Sequence, residues 1–269
     1  TKPVCKPLLP IYDKPMIYYP LAVLQHAGIK DVLIIVPPYD LEQFERLFGD
    51  GSSLGMNISY KEQFVQRGIA DAFIVGEEFI GDDSVCLVLG DNVFYGDGLK
   101  ECLDKAQQNT VGATIFGVYV DDPRAFGVVE FDENGKAISI EEKPENPKSN
   151  YIVPGLYFYD NRVVEIAKNV QPSARGELEI TSVNNEYLKL GDLNVVTLGK
   201  DFVWLDAGTE DSLLSGGEVI RKIQAETGKY VACIEECSYD NGWISRDELH
   251  KLGKELEKTK YGKYIMNKL

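Results

Sequence analysis

Histidine is scarce: His26 and His250 are the only two in 269 residues, and they lie far apart in sequence. The five cysteines, Cys5, Cys86, Cys102, Cys233 and Cys237, form an odd set at wide spacings. These two facts argue against a histidine–cysteine zinc site and a disulfide framework, and make reduced thiols in a cytoplasmic protein the expectation. His26, just ahead of Ala27-Gly28 at a helix end, reads as structural. Basic residues are also in short supply, 28 against 43 acids, giving a net charge of −15. That balance argues against nonspecific binding to nucleic acid or to an anionic membrane. Any phosphate site must then be a local basic cluster set against an unfavourable overall field. No stretch approaches the length of a membrane span, no signal peptide is visible, and there is no internal repeat or low-complexity tract.

What is present is an ordinary globular composition, long enough to bury one large core, or one core with a small appendage. The most informative stretch runs from Ser84 to Gly96. Val85 to Leu89 is a continuous apolar run, which reads as a strand buried on both faces. Gly90 ends it and Asp91 follows at once. In an open α/β sheet the ligand crevice lies at the carboxyl ends of the strands. Asp91 is therefore placed either to hold a metal ion or a sugar hydroxyl, or to cap a following helix.

Lys2 to Pro15 is a proline-punctuated loop made locally basic by Lys2, Lys6 and Lys14. A helix follows from near Pro15 to Gly28, with Ile17, Leu21 and Leu24 on its apolar face and a kink expected at Pro20. Strands are expected at 31–37, 57–63, 112–120, 151–159, 193–198 and 202–205. Helices are expected at 41–48, 69–79, 99–108, 163–169, 177–189 and 209–226. Phe126–Phe131 and Ala137–Glu142, joined by a turn at 132–135, read as a β-hairpin. From Lys229 the chain reads as a helical appendage, with Leu249, Leu252 and Leu256 on one helix face. The fold class is α/β: a Rossmann-like, mixed and mostly parallel sheet covered by helices, with residues 1–228 as the main domain and 229–269 appended.

Several other polar residues stand at element ends. Asp206 repeats the arrangement at Asp91, an apolar strand, an acid, small residues and a helix. The two carboxylates could share one Mg²⁺, which takes one or two carboxylates together with phosphates and water. Capping by Asp206 or Thr209 is the alternative. Glu142-Lys143-Pro144 closes a strand, with a carboxylate suited to sugar hydroxyls and an ammonium suited to phosphate, or simply a solvated pair. Arg175-Gly176-Glu177 is read as a helix opening where Arg175 could grip phosphate, or stand as an ordinary surface arginine. The Gln63 amide could read a pyrimidine edge.

These pieces sit in recognisable company. Lys6-Pro-Leu-Leu-Pro-Ile-Tyr-Asp-Lys-Pro-Met-Ile-Tyr-Tyr-Pro20, Gly90-Asp-Asn-Val-Phe-Tyr-Gly96, Phe126-Gly-Val-Val-Glu-Phe131, Glu142-Lys-Pro144, Ser149-Asn-Tyr151, Gly155-Leu-Tyr-Phe-Tyr-Asp-Asn161, Arg175-Gly-Glu-Leu-Glu-Ile-Thr181 and Trp204-Leu-Asp206 resemble the glucose-1-phosphate thymidylyltransferases, of the sugar nucleotidyltransferase family. The resemblance runs through the whole chain. It implies transfer from dTTP to glucose 1-phosphate, with Mg²⁺ as cofactor. Asp91 and Asp206 would hold the ion, and Lys6 would contact the nucleotide phosphates. Gln63 and the backbone at Gly68 would bind thymine. Lys143 and Arg175 would hold the sugar phosphate, while Asn92, Gly127, Glu142 and Val153 would line the sugar pocket. It further implies a homotetramer and, in some members, a second nucleotide site that inhibits by end product.

Three departures accompany the resemblance. The family's opening strand and its Gly-Gly-x-Gly-Thr-Arg-Leu loop are absent from this sequence, so poor folding and little turnover are expected of the 269-residue polypeptide. Pro7 stands where many members have Gln. Phe126 replaces a Tyr, and Glu210 a His. Competing readings are a uridylyltransferase, since Gln63 suits uracil as well as thymine, and a non-catalytic nucleotide-sugar-binding relative. A metal-dependent glycosyltransferase is the weakest of them, because positions 91–93 read Asp-Asn-Val rather than Asp-x-Asp.

Overall fold

The computed structural model describes residues 4–199 and 202–268, so Lys2 and Pro3 of the expected N-terminal loop lie outside the described residues. The chain divides into two compact units, one of Thr1–Tyr60, Gly90–Tyr95 and Leu205–Leu269, the other of Lys61–Leu89 and Gly96–Trp204.

In the first unit the proline-rich segment is more ordered than a loop. A 3-10 turn at Lys6–Leu8 leads into a small antiparallel hairpin, Pro10–Ile11 against Lys14–Pro15, with Tyr12 left-handed at its tip (φ 62°). The prolines forbid helix here but not these short extended pairs. The helix Tyr18–His26 buries every residue from Tyr19 to Gln25, and Gly28 stops it with φ 73°. Pro20 falls in the first turn, where no intrahelical N–H is required, so the expected kink has no cause. Ile11, Met16, Tyr19, Val93, Ala207, Ile220 and Val231 form the core of this unit. Asp31–Val36 pairs with Asn57–Glu62, and Leu41–Phe48 is helical as its pattern implies.

The three C-terminal helices, Ile234–Asp240, Arg246–Glu255 and Lys260–Asn267, belong to the same unit and pack around Cys233, Ile244, Leu249 and Ile265. Leu249 is fully buried and Leu252 packs beside it. Leu256 lies past the helix end and is exposed, so it is not part of that face.

The second unit is built on a seven-stranded sheet flanked by helices. Its order is Val85–Val88, Leu156–Tyr159, Ala113–Tyr119, Tyr151–Ile152, Gly127–Phe131, Ala137–Glu142, with Leu193–Thr197 also pairing Ala113–Tyr119. The mixed α/β class stands, but the sheet is not mostly parallel. Only Leu193–Thr197 runs parallel to its neighbour, and the other pairings in this sheet are antiparallel. The apolar run after Ser84 is a further correction: Val85–Val88 lies at the sheet edge with all four residues half-buried, not in the middle with both faces covered. The hairpin Gly127–Phe131/Ala137–Glu142 is as expected, its turn held by the Asp132 carboxylate accepting from the N–H groups of Asn134 and Lys136.

The expected helix at 69–79 is two short helices, Asp71–Val75 and Glu77–Ile80, parted at Gly76. The expected strand at 151–159 is interrupted at 153–155, where Pro154 supplies no donor. The core of this unit gathers Phe73, Ile115, Val129, Tyr157, Tyr159, Val183 and Tyr187.

Candidate functional site

The first unit brings together Lys6, Asp91, Asn92 and Asp206. Lys6 Nζ donates to Asp91 Oδ2 at 2.5 Å, and Asn92 Nδ2 donates to Asp91 Oδ1 at 3.0 Å. Lys6 is brought there by the turn that follows it. A Cβ on Gly90 would lie 3.1 Å from the Pro7 ring, so Pro7 sits close against the Gly90 backbone, where a side chain would be tight. Asp206 ends the strand Val203–Asp206, which pairs with Asn92–Tyr95, and the N–H of Ala207 donates to the Asp91 carbonyl at 3.0 Å. Gly208 is equally tight, since a Cβ there would stand 2.9 Å from Asp206 Oδ2.

Neither acid is a helix cap. After Asp91 the chain re-enters a strand, Asn92–Tyr95, and the next helix, Leu99–Gln108, has Gly98 at its N-cap. After Asp206 the helix Glu210–Thr227 is capped by Thr209, with a reciprocal bond from Ser212. The capping alternative thus fails at both positions, and both carboxylates remain half-exposed.

The second unit holds Gln63, Gly68, Gly127, Glu142, Lys143, Val153 and Arg175. Four of them converge. Gly127 and Glu142 are register partners, and the N–H of Val153 donates to the Gly127 carbonyl at 2.8 Å. A Cβ at Gly127 would come 3.1 Å from Thr181 Oγ1 and 3.3 Å from Glu142 Oε2, so a side chain there would crowd that carboxylate and glycine leaves the strand open beside it. Arg175 Nη2 lies 3.7 Å from Glu142 Oε1 and 2.8 Å from Glu179 Oε1. The hydrogen bond to Glu179 raises the pKa of the guanidinium above its ordinary value.

Arg175 does not open a helix, as the sequence suggested. The helix Ile180–Leu190 starts five residues later, with Glu179 at its N-cap, so helix-terminus attraction plays no part at Arg175. Lys143 follows the strand in a left-handed conformation (φ 46°), its N–H bonded to the Phe126 carbonyl at 2.9 Å. Its ammonium is exposed and has no protein partner among the described residues. Phe126 packs edge-to-face on Trp204, with ring centroids 5.3 Å apart.

Gln63 and Gly68 occupy one loop. Gln63 Nε2 donates to Asp71 Oδ2 at 2.7 Å. Gly68 has φ 110°, and a Cβ there would fall 2.5 Å from the Leu178 carbonyl oxygen. Leu178 clasps the loop on both sides, donating to the Arg67 carbonyl and accepting from the Ala70 N–H at 3.1 Å.

None of the five cysteines is in a disulfide, and burial raises every thiol pKa, that of Cys5 to about 12. These residues are not thiolate nucleophiles at neutral pH. No helix among the described residues is long and apolar enough to cross a membrane.

The nucleotidyl transferase family model matches residues 1–223. The chain belongs to that family, among its glucose-1-phosphate thymidylyltransferases. A glucose-1-phosphate thymidylyltransferase of Neisseria meningitidis is 53% identical over the whole chain and 93% of its own length. One from Mycobacterium tuberculosis is 51% identical over the same spans. Among solved structures, a putative glucose-1-phosphate thymidylyltransferase from Bacillus anthracis matches with a TM-score of 0.76 at 39% identity, covering 82% of this chain and 88% of that one. A UDP-glucose pyrophosphorylase matches with a TM-score of 0.71 at 22% identity, which is a likeness of fold alone.

Within this family frame two supporting residues escaped the sequence reading. Thr181 Oγ1 donates to Glu142 Oε2 at 2.5 Å, and Thr181 is itself buried. Asp71 accepts from both Gln63 and Arg67. The signal for Thr181 was its place in the Arg175–Thr181 motif. For Asp71 it was an acid four residues beyond an arginine, across a glycine turn.

Proposed function

We propose that the protein transfers a thymidylyl group from dTTP to glucose 1-phosphate, forming dTDP-glucose and releasing pyrophosphate. The observation that carries this reading is the Lys6 ammonium resting on Asp91, whose backbone is bonded to the strand end that bears Asp206. A cation and two carboxylates that cap nothing form a group suited to phosphate chemistry. The names of the relatives in Neisseria meningitidis and Mycobacterium tuberculosis support this substrate pair.

In the reaction a phosphate oxygen of the sugar phosphate attacks the α-phosphorus of dTTP. The new P–O bond forms as the bond to the bridging oxygen breaks, and pyrophosphate leaves in line. The attacking phosphate is already anionic at neutral pH, so no side chain has to take a proton. Rate then depends on alignment and charge neutralisation. Lys6 contacts the nucleotide phosphates. Gln63 and the Gly68 backbone bind the base. Glu142, Gly127, Val153 and Asn92 line the sugar, and Thr181 orients the Glu142 carboxylate. Lys143 and Arg175 hold the sugar phosphate, the five donors of the guanidinium being enough for Glu179 and a phosphate oxygen together.

The donor set fits Mg²⁺. No group of three or more His, Cys, Asp or Glu side chains that could hold a metal is found among the described residues. Asp91 and Asp206 are hard oxygen donors, and Mg²⁺ commonly takes one or two carboxylates with the remaining positions filled by water and substrate phosphates. Held there, the ion would neutralise charge on the reacting phosphates. The family resemblance further supports a homotetramer acting in the cytoplasm.

Pyrophosphate release with dTTP or UTP, each with glucose 1-phosphate, tests the proposal. Preferred turnover of dTTP is the expected result. A clear preference for UTP replaces it with a uridylyltransferase. Binding of dTDP-glucose without turnover of either nucleotide makes the protein a non-catalytic relative.

A further inference from the structure

We propose that Asp71 fixes the orientation of the Gln63 amide, and that this restricts the base site to a pyrimidine bearing a ring N–H, thymine or uracil, against cytosine. The inference rests on the reading above that Gln63 contacts the base.

A glutamine amide is two-faced. One end donates and the other accepts, and a half-turn about its last bond exchanges them. Left to itself it can satisfy the N3–H of thymine or the bare N3 of cytosine. Asp71 removes that freedom. Its side chain is 1% exposed, and a carboxylate offers acceptors only. Oδ2 takes a hydrogen bond from Gln63 Nε2 and Oδ1 takes one from Arg67 Nη2, each at 2.7 Å. The end of the Gln63 amide facing Asp71 must therefore be the NH₂ group, and Oε1 is the end left for a ligand. An acceptor there meets the N3–H of thymine or uracil as a hydrogen bond. It meets the N3 lone pair of cytosine as a repulsion.

The surrounding loop resists rearrangement. Ala70, next to Asp71, is buried in the core, and its N–H is bonded to Leu178. Gly68 is held against the same residue at a φ of 110°. Turning the amide would set a carbonyl against a buried carboxylate and leave that carboxylate short of a donor. Such an unmade bond changes an equilibrium roughly 10-fold to 100-fold.

Asp71→Asn keeps the shape of the side chain but can donate as well as accept, which releases the Gln63 amide. In the full-length protein the ratio of kcat/KM for dTTP over dCTP is expected to fall about tenfold or more, with KM for glucose 1-phosphate unchanged. Gln63→Glu alone sets its carboxylate against that of Asp71 and loses dTTP affinity. The double variant Q63E/D71N restores an acceptor-only group held by a donor, and recovers the preference for dTTP. A purely structural role for Asp71 would leave the ratio unmoved and would not be rescued by the exchange; that result overturns the inference.

Arg67→Met, at a more exposed position, gives a second reading if Asp71→Asn folds poorly. It leaves the acceptor-only carboxylate facing Gln63, so the ratio for dTTP over dCTP is expected to stand; a fall would show that the carboxylate does not by itself fix the amide and would overturn the inference. Gln63→Ala separates the two proposals. If it changes neither dTTP binding nor the ratio, Gln63 does not read the base at all. If it weakens dTTP while Asp71→Asn keeps the ratio, only the role of Asp71 fails.

Discussion

A carboxylate at a strand end either caps the helix that follows or faces a ligand, and at Asp91 and Asp206 the backbone has closed off the first use. Asp91 runs on into a strand, and Thr209 caps the helix beyond Asp206. Asp206→Asn should therefore cost activity without uncapping that helix. Turnover is expected to fall by about 10³-fold, the scale of a group that stabilises charge in the transition state. Pyrophosphate release measures the loss, and a melting curve on the same sample shows that it is measured on folded protein. The placement of the two acids could be read from sequence, because an apolar run ending in Gly-Asp or directly in Asp marks a strand end wherever it occurs. The supporting residues could not. Thr181 meets Glu142 across 39 positions, and nothing local in either segment announces the other. Asp71 is only eight residues from Gln63, yet reads locally as one more acid in a helix start.

Elements repeat the lesson at a larger size. Helices such as Leu41–Phe48, Leu99–Gln108 and Val163–Asn169 fall where their periodicity puts them, since a helix satisfies its own backbone bonds. Most strands were also legible, though not Asn92–Tyr95 or the small hairpin Pro10–Ile11/Lys14–Pro15, and strand direction and neighbours were not. Val85–Val88 is apolar enough for a sheet centre, yet among the described residues it pairs with Leu156–Tyr159 alone and lies at the edge. An apolar run reports a tendency to be buried, and the pairing is decided by segments far along the chain. The long helix Glu210–Thr227 offers a test at this scale. Its N-terminus is closed by the reciprocal Thr209–Ser212 bonds, and Thr209→Ala removes the one that Thr209 Oγ1 accepts from the Ser212 N–H. Chemical denaturation should show a loss of about 1 kcal/mol, with turnover kept. Opposite outcomes at positions 206 and 209 would separate the acid that serves chemistry from the threonine that serves the helix.

For the molecule as a whole, each unit has its own core, one around Phe73, Ile115 and Tyr187, the other around Tyr19, Val93 and Ile220 with a satellite about Leu249. Scanning calorimetry is expected to give a calorimetric enthalpy above the van't Hoff value, the mark of unfolding that is not all-or-none. The net charge of −15 also takes on a definite meaning, because the lysines and arginine assigned to phosphate are few and most already touch acids. The Leu178 clasp reaches furthest. It joins the loop that carries Gln63 and Gly68 to the segment that carries Arg175, so on the roles proposed above one stretch of backbone would serve both substrates. A ligand that tightened that stretch would bear the entropy loss, and the second would find the loss already met. The two affinities would then be thermodynamically linked, nucleotide and sugar phosphate tightening one another by one common factor, with no contact between the ligands required.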